Sequence, residues 1–387
     1  MLLAWEQEIF TRLFINSRAA EMHNRLILIN SGSMIRLQSF LQQVRDLFTT
    51  PIASRQQFGV ILFLAVMYIF IPQISPVDWD LNTNNFWAAG LNVYADPSKV
   101  YPPWGLILMA PYFLMRAEGA RVFSVLAIGW LSYRRSWSLS KFFAITLSPF
   151  FLVTMAKSNM DILVLVLPIL LWETVQGTKW QTVGRGIALA ILLLKPQGAV
   201  LIWIYLLWSA REDWYGLVKQ LLIVALFVIP ISIIGTPPLF LQWINNLVHP
   251  SPQNEFYWSI NNLSLSSYLS PLHALMVLFI SFSILLTFMK WKRRRWSSGH
   301  TLASLLLVSM FLSPYTSQQS FSSALAFIPS WASFFAQSIT VIVSLKFLNY
   351  WEVIPLIILL IGLSSLYFYQ PAEKTEQGGK HVQVKVN

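Results

Sequence analysis

"YPPWGLILMAPYFLMR", residues Tyr101 to Arg116, is the stretch on which the threading of this chain turns. It is apolar and aromatic, and it ends on a cation. A helix that crosses about 30 Å of hydrocarbon needs about 20 mainly apolar residues. From Tyr101 to Tyr133 there are 33 residues. These give about 50 Å of helix, short of two spans plus a turn. Segment 101–116 therefore reads as a re-entrant or juxtamembrane helix that enters from one side and returns there or lies along it. Pro102 and Pro103 open it in the first turn, where missing N–H groups cost little.

The surroundings agree with a chain built for lipid. Of 387 residues, 56% are hydrophobic and 11% charged, against about 25% charged in ordinary soluble domains. Apolar windows recur at 57–75, 119–133, 141–157, 161–176, 186–195, 198–210, 217–235, 271–289, 301–314, 321–344 and 351–369. Because a backbone in hydrocarbon must satisfy its own hydrogen bonds, the expected fold is an all-α polytopic membrane protein. It has about eleven transmembrane helices plus the re-entrant one. Residues 57–370 form that domain, and 371–387 are a polar tail. Residues 1–56 carry Arg12, Arg18, Arg25, Arg36, Arg45 and Arg55 among Leu, Ile and Phe, which reads as one or two basic amphipathic helices on the membrane surface. Met34 opens a shorter basic lead into the first span, and a start there is the other reading of this segment.

The net charge of +11 does not point to nucleic acid, since the Lys and Arg fall in short clusters between apolar spans. Clusters at Arg134–Arg135–Lys141, Lys179–Arg185, Arg211–Lys219, Lys292–Arg295 and Lys346 are expected to face the cytoplasm and anionic lipid. They alternate correctly only if 101–116 does not cross. With that parity the breaks lacking basic clusters, 76–100, 157–161, 195–197, 236–270 and 314–320, share the non-cytoplasmic side and are placed to build one site. Cysteine is absent and the five His are scattered, so neither disulfides nor a metal site is expected, and no cofactor is called for.

Charges near membrane depth are functional candidates by default, although long cations near helix ends snorkel. Lys195 interrupts "GIALAILLLKPQGAVLIWIYLL" just before the helix-breaking Pro196. It is either a snorkelling side chain at a hairpin tip or a point charge for a lipid phosphate. Asp78 and Asp80 follow the first span closely. They are either ordinary turn and cap residues or a general base at the membrane boundary that takes the proton of an attacking hydroxyl. Asp161 and Asn159 open the fourth span, where capping and the helix dipole suffice to explain them. Gln197, His249, Tyr315, Gln318 and Gln319 are hydroxyl-binding candidates that also fit an ordinary interface role.

In order along the chain come an acidic loop after the first span, Gly90 to Tyr94 ("GLNVY"), Tyr101 to Pro103 ("YPP"), Asn159 in "KSNMD", Lys195-Pro196-Gln197 after Gly186, Asn262 to Leu265 ("NLSL"), and Ser313-Pro314. This order resembles the C-type integral-membrane glycosyltransferases, most closely the mannosyltransferase-like family 87, over about residues 57–335. Two departures stand out. Lys157 and Ser158 occupy a Gly-Gln position, and Gln318 and Gln319 stand where relatives often carry His. The resemblance implies a polyprenyl-phosphate sugar as donor and a glycan or glycolipid as acceptor. It implies direct inverting transfer of a mannose-like hexose with Asp78 or Asp80 as base. Asn85, Tyr94, Tyr101, Asn159, Asp161, Lys195, Gln197, His249, Tyr315 and Gln319 would then bind substrate. The expected location is the cell membrane, multi-pass, with the site on the non-cytoplasmic face and membrane lipids around it. A lipid or solute transporter, or an inactive scaffold of glycan assembly, are the rival readings. The first lacks the clear inverted repeat of many transporter folds.

Overall fold

The structure is a computed structural model that describes residues 31–72, 89–95, 101–249, 298–312, 320–329, 331, 333–335 and 337–339. Among these residues the architecture is helical and contains no strand. The spans expected at 271–289 and 351–369, and the tail 371–387, lie outside them.

Helix α1 (Ser31–Thr49) carries Phe40, Leu41, Val44 and Phe48 exposed on one face. It leads to α2 (Arg55–Met67), where Ser54 and Gln57 form a reciprocal cap, each side chain meeting the other's backbone N–H. One tighter turn, Tyr68–Phe70, ends this first apolar helix. After the turn Gly90–Ala95 comes the segment that decides the threading. Gly105 N–H donates to the Pro102 carbonyl at 2.8 Å, starting the short helix α3 (Gly105–Leu108). Helix α4 (Ala110–Arg134) follows, but Arg116 inside it has φ 54° and ψ −178°. The chain thus breaks where the juxtamembrane segment is expected to end and the span to begin.

Helices α5 (Leu139–Thr146) and α6 (Pro149–Ala156) replace the single span expected at 141–157, bent by 58° at Leu147 and Ser148. Proline disfavours helical geometry in the residue before it, so Pro149 accounts for the bend. A wide π-helical turn, Ile162–Val166, runs into α7 (Leu167–Thr174). Then come α8 (Gln181–Leu192), α9 (Pro196–Ser209), α10 (Trp214–Ser232), α11 (Leu239–Val248), α12 (Ser298–Leu312) and α13 (Phe321–Leu325). The span expected at 321–344 is interrupted after α13 by the turn before Pro329, and helical residues resume at Trp331.

Only α10, among the described residues, is by itself long and apolar enough to cross a membrane. Leu222, Leu226 and Ile229 recur on an exposed apolar stripe while Gln220 and Ser232 are buried. Helix α10 packs most closely on α8, and α9 on α12. Small residues permit the first approach. A methyl group added at Gly186 would come within 2.8 Å of Ile223 Cβ. The core runs through Phe142, Phe150, Phe151, the whole turn Ile162–Val166, and Leu189. Ile52 N–H donates to the Trp137 carbonyl at 2.8 Å, and Arg135 Nη2 lies 2.6 Å from Glu173 Oε1.

Candidate functional site

The turn between α6 and the π-helical segment holds the most concentrated polar chemistry. Ser158 sits at φ 51°, a left-handed turn that reverses the chain after Lys157. Asn159 Oδ1 accepts the Asp161 N–H at 2.8 Å, a local bond of the kind that caps a helix start. Asp161 begins the next helix with its side chain 0% exposed. Its partner comes from 34 residues on. Lys195 caps α9, with Pro196 in that helix's first turn, and its Nζ donates to Asp161 Oδ1 in a close ion pair.

Lys195 is 16% exposed on its side chain, so the pair is open at the lysine end and closed at the carboxylate end. The second carboxylate oxygen, Asp161 Oδ2, is buried and has no hydrogen-bond partner among the described residues. Such an acceptor is costly unless something donates to it. The cation expected from the sequence as a snorkelling tip or a phosphate point charge is thus answered by a carboxylate.

Arg121 of α4 lies on the other side of the same turn, 4% exposed. Its Nε and Nη2 donate to Ser158 Oγ at 3.1 and 2.9 Å, and its Nη1 to the Ile71 carbonyl at 2.6 Å. This residue ties the exit of the first apolar helix to the Ser158–Asp161 turn. No feature of the sequence reading singled it out, yet the signal was present: an arginine inside the span expected at 119–133 is a functional candidate by position alone.

Aromatic side chains form the next layer. Trp104 Nε1 donates to the Leu193 carbonyl at 3.1 Å, two residues before Lys195, and its ring meets Trp243 edge-on at 5.5 Å. Tyr94 donates its hydroxyl to the Tyr101 carbonyl, and Asn246 Nδ2 reaches the Tyr94 carbonyl at 3.4 Å. Burial pushes the Tyr94 phenol well above its ordinary pKa, so it remains a neutral donor. Tyr112 donates to the Leu163 carbonyl at 3.3 Å and braces the π-helical turn.

These contacts bring together parts of four breaks expected to share one side, residues 89–95, the Ser158–Asp161 turn, Lys195 and the start of the loop after α10, with Ile71 at the end of the first expected span. Tyr94, Tyr101, Asn159, Asp161 and Lys195 all belong to this network. His249 ends α11 with an exposed side chain, and its contribution is a backbone bond to the Asn245 carbonyl at 2.8 Å. Gln197 lies in the first turn of α9, its side chain outside the described set. Asp78, Asp80, Asn85, Tyr315 and Gln319 lie outside the described residues. Among the described residues no group of three His, Asp or Glu side chains converges to hold a metal ion.

Residues 100–317 match the family model of glycosyltransferase family 87. No curated protein and no solved structure matches the chain.

Proposed function

The chain belongs to glycosyltransferase family 87 and is a glycosyltransferase, and from that premise we propose that it moves a mannose-like hexose from a polyprenyl-phosphate donor to a glycan or glycolipid acceptor. In this reading the chain crosses the cell membrane about eleven times and works on the non-cytoplasmic side. The observation that supports the reading is the buried Asp161–Lys195 pair, open at its lysine end, on a turn that Arg121 ties to the exit of the first apolar helix. At that open end a sugar hydroxyl can accept from the lysine amine.

The chemistry assigned to the site is a direct displacement. The acceptor oxygen attacks the anomeric carbon and the new C–O bond forms on the face opposite the leaving group. The bond from that carbon to the phosphate oxygen breaks, and the lipid phosphate leaves with the electron pair. A carboxylate at Asp78 or Asp80 takes the acceptor's hydroxyl proton, which raises its nucleophilicity as the bond forms. Asp161 and Lys195 balance each other's charge, so the pair adds no net charge beside the donor.

The test is a transfer assay with the purified chain in lipid nanodiscs and a panel of radiolabelled donors. Polyprenyl-phosphate hexoses should label the acceptor, and nucleotide sugars should not. Transfer from a nucleotide sugar with none from any lipid-linked hexose would overturn the donor assignment.

A further inference from the structure

We infer that Arg121 receives the phosphate of the donor lipid, a role that the sequence reading offered to Lys195; the inference rests on the proposed lipid-linked donor. Three of the guanidinium's five N–H groups are engaged, and they meet a hydroxyl and a carbonyl, both neutral. Among the described residues no carboxylate meets Arg121, although it is 4% exposed. A charge so placed is expensive to hold unless an anion comes to it. Lys195 differs on this point, because its charge is already balanced by Asp161.

The orientation of the guanidinium fits an incoming phosphate. Ser158 Oγ accepts from the Nε and Nη2 edge and the Ile71 carbonyl accepts from Nη1, which fixes the plane of the group before substrate arrives. Guanidinium recognises phosphate oxygens through paired N–H groups, and a held plane loses little freedom on binding. Its two anchors are the exit of the first apolar helix and the turn that carries Asp161. A phosphate at Arg121 would therefore lie between the exit of the first apolar helix and the Asp161–Lys195 pair assigned to the sugar. That is the order required along a lipid-phosphate-sugar: phosphate at the cation, sugar beyond it.

The experiment is equilibrium binding of a radiolabelled polyprenyl monophosphate to the full chain in nanodiscs of zwitterionic lipid. Uncharged polyprenol and phosphatidylglycerol serve as competitors, the second to separate a lipid-carrier phosphate from any anionic headgroup. Wild type should bind the monophosphate, with neither competitor displacing it. Arg121→Gln keeps one donor for Ser158 and loses the charge, and should weaken binding about tenfold to a hundredfold. Arg121→Lys should recover part of that loss. Binding by Arg121→Gln within about twofold of wild type would overturn the inference and leave the donor reading intact, and a carboxylate near 78–80 answering Arg121 would give that result. Failure of both variants to fold would equally overturn it, making Arg121 a structural staple. Failure of wild type to prefer the monophosphate over polyprenol would instead remove the donor reading itself.

Discussion

Replacing Lys195 by Met removes the cation and keeps most of the stem, leaving the Asp161 carboxylate wholly buried with neither oxygen partnered by a described side chain. Breaking a buried pair from one side costs about 3 to 5 kcal/mol, because the other charge stays buried and unanswered. At about 2 °C per kcal/mol, the low end for large domains, the unfolding midpoint falls by about 6 to 10 °C. Asp161→Asn is milder. It keeps the shape and the backbone N–H bond to Asn159 Oδ1, and it strands a lysine that is already 16% exposed and can swing its amine toward water. A loss of about 1 to 2 kcal/mol is expected there, the usual range for an unsatisfied partner. The sign of the double variant is the sharp part. Adding Asp161→Asn to Lys195→Met removes the stranded charge and should raise stability above that of Lys195→Met alone. Thermal unfolding of the four proteins in detergent, followed by tryptophan fluorescence, closes the cycle. Additive losses, or a Lys195→Met protein within about 1 kcal/mol of wild type, would refute the pairing as the source of stability.

Two further outcomes follow from the packing and the charge pattern. Gly186→Ala puts a methyl within 2.8 Å of Ile223 Cβ at the closest helix pair, and should cost about 1 to 3 kcal/mol in the same unfolding assay, the range for overpacking. In intact cells, an impermeant maleimide should label Thr83→Cys and Gln253→Cys and spare Arg294→Cys. The chain has no cysteine of its own to confuse the result, and the reverse pattern would invert the proposed topology.

How far the sequence was legible depends on whether a feature is local. The break at Arg116 followed from chain length, since 33 residues do not make two spans and a turn. The restart of helix at Pro196, after α8 ends at Leu192, followed from proline's fixed geometry and missing N–H. The bend before Pro149 and the interruption before Pro329 were open to the same rule, but a hydropathy window averages across a proline and joins what it divides. The π-helical turn at Ile162–Val166 has no signature in five aliphatic residues. The Asp161–Lys195 pair was beyond reach for another reason: each residue was a candidate alone, but their meeting depends on how two distant helix starts pack. Arg121 passed unnoticed because it stands in an apolar run that reads as span, where its burial and its neutral partners become visible only in three dimensions.

The most direct test of the account is turnover by Asp78→Asn and Asp80→Asn with a polyprenyl-phosphate hexose that wild type uses. Removing a positioned general base lowers the rate by about 10² to 10⁴. Asp78, nearer the exit of the first span and Pro76, is expected to carry that loss, with Asp80→Asn losing less and with expression and donor binding retained in both. If both variants keep more than about half of the wild-type rate, the carboxylate-assisted transfer proposed for this membrane glycosyltransferase is contradicted.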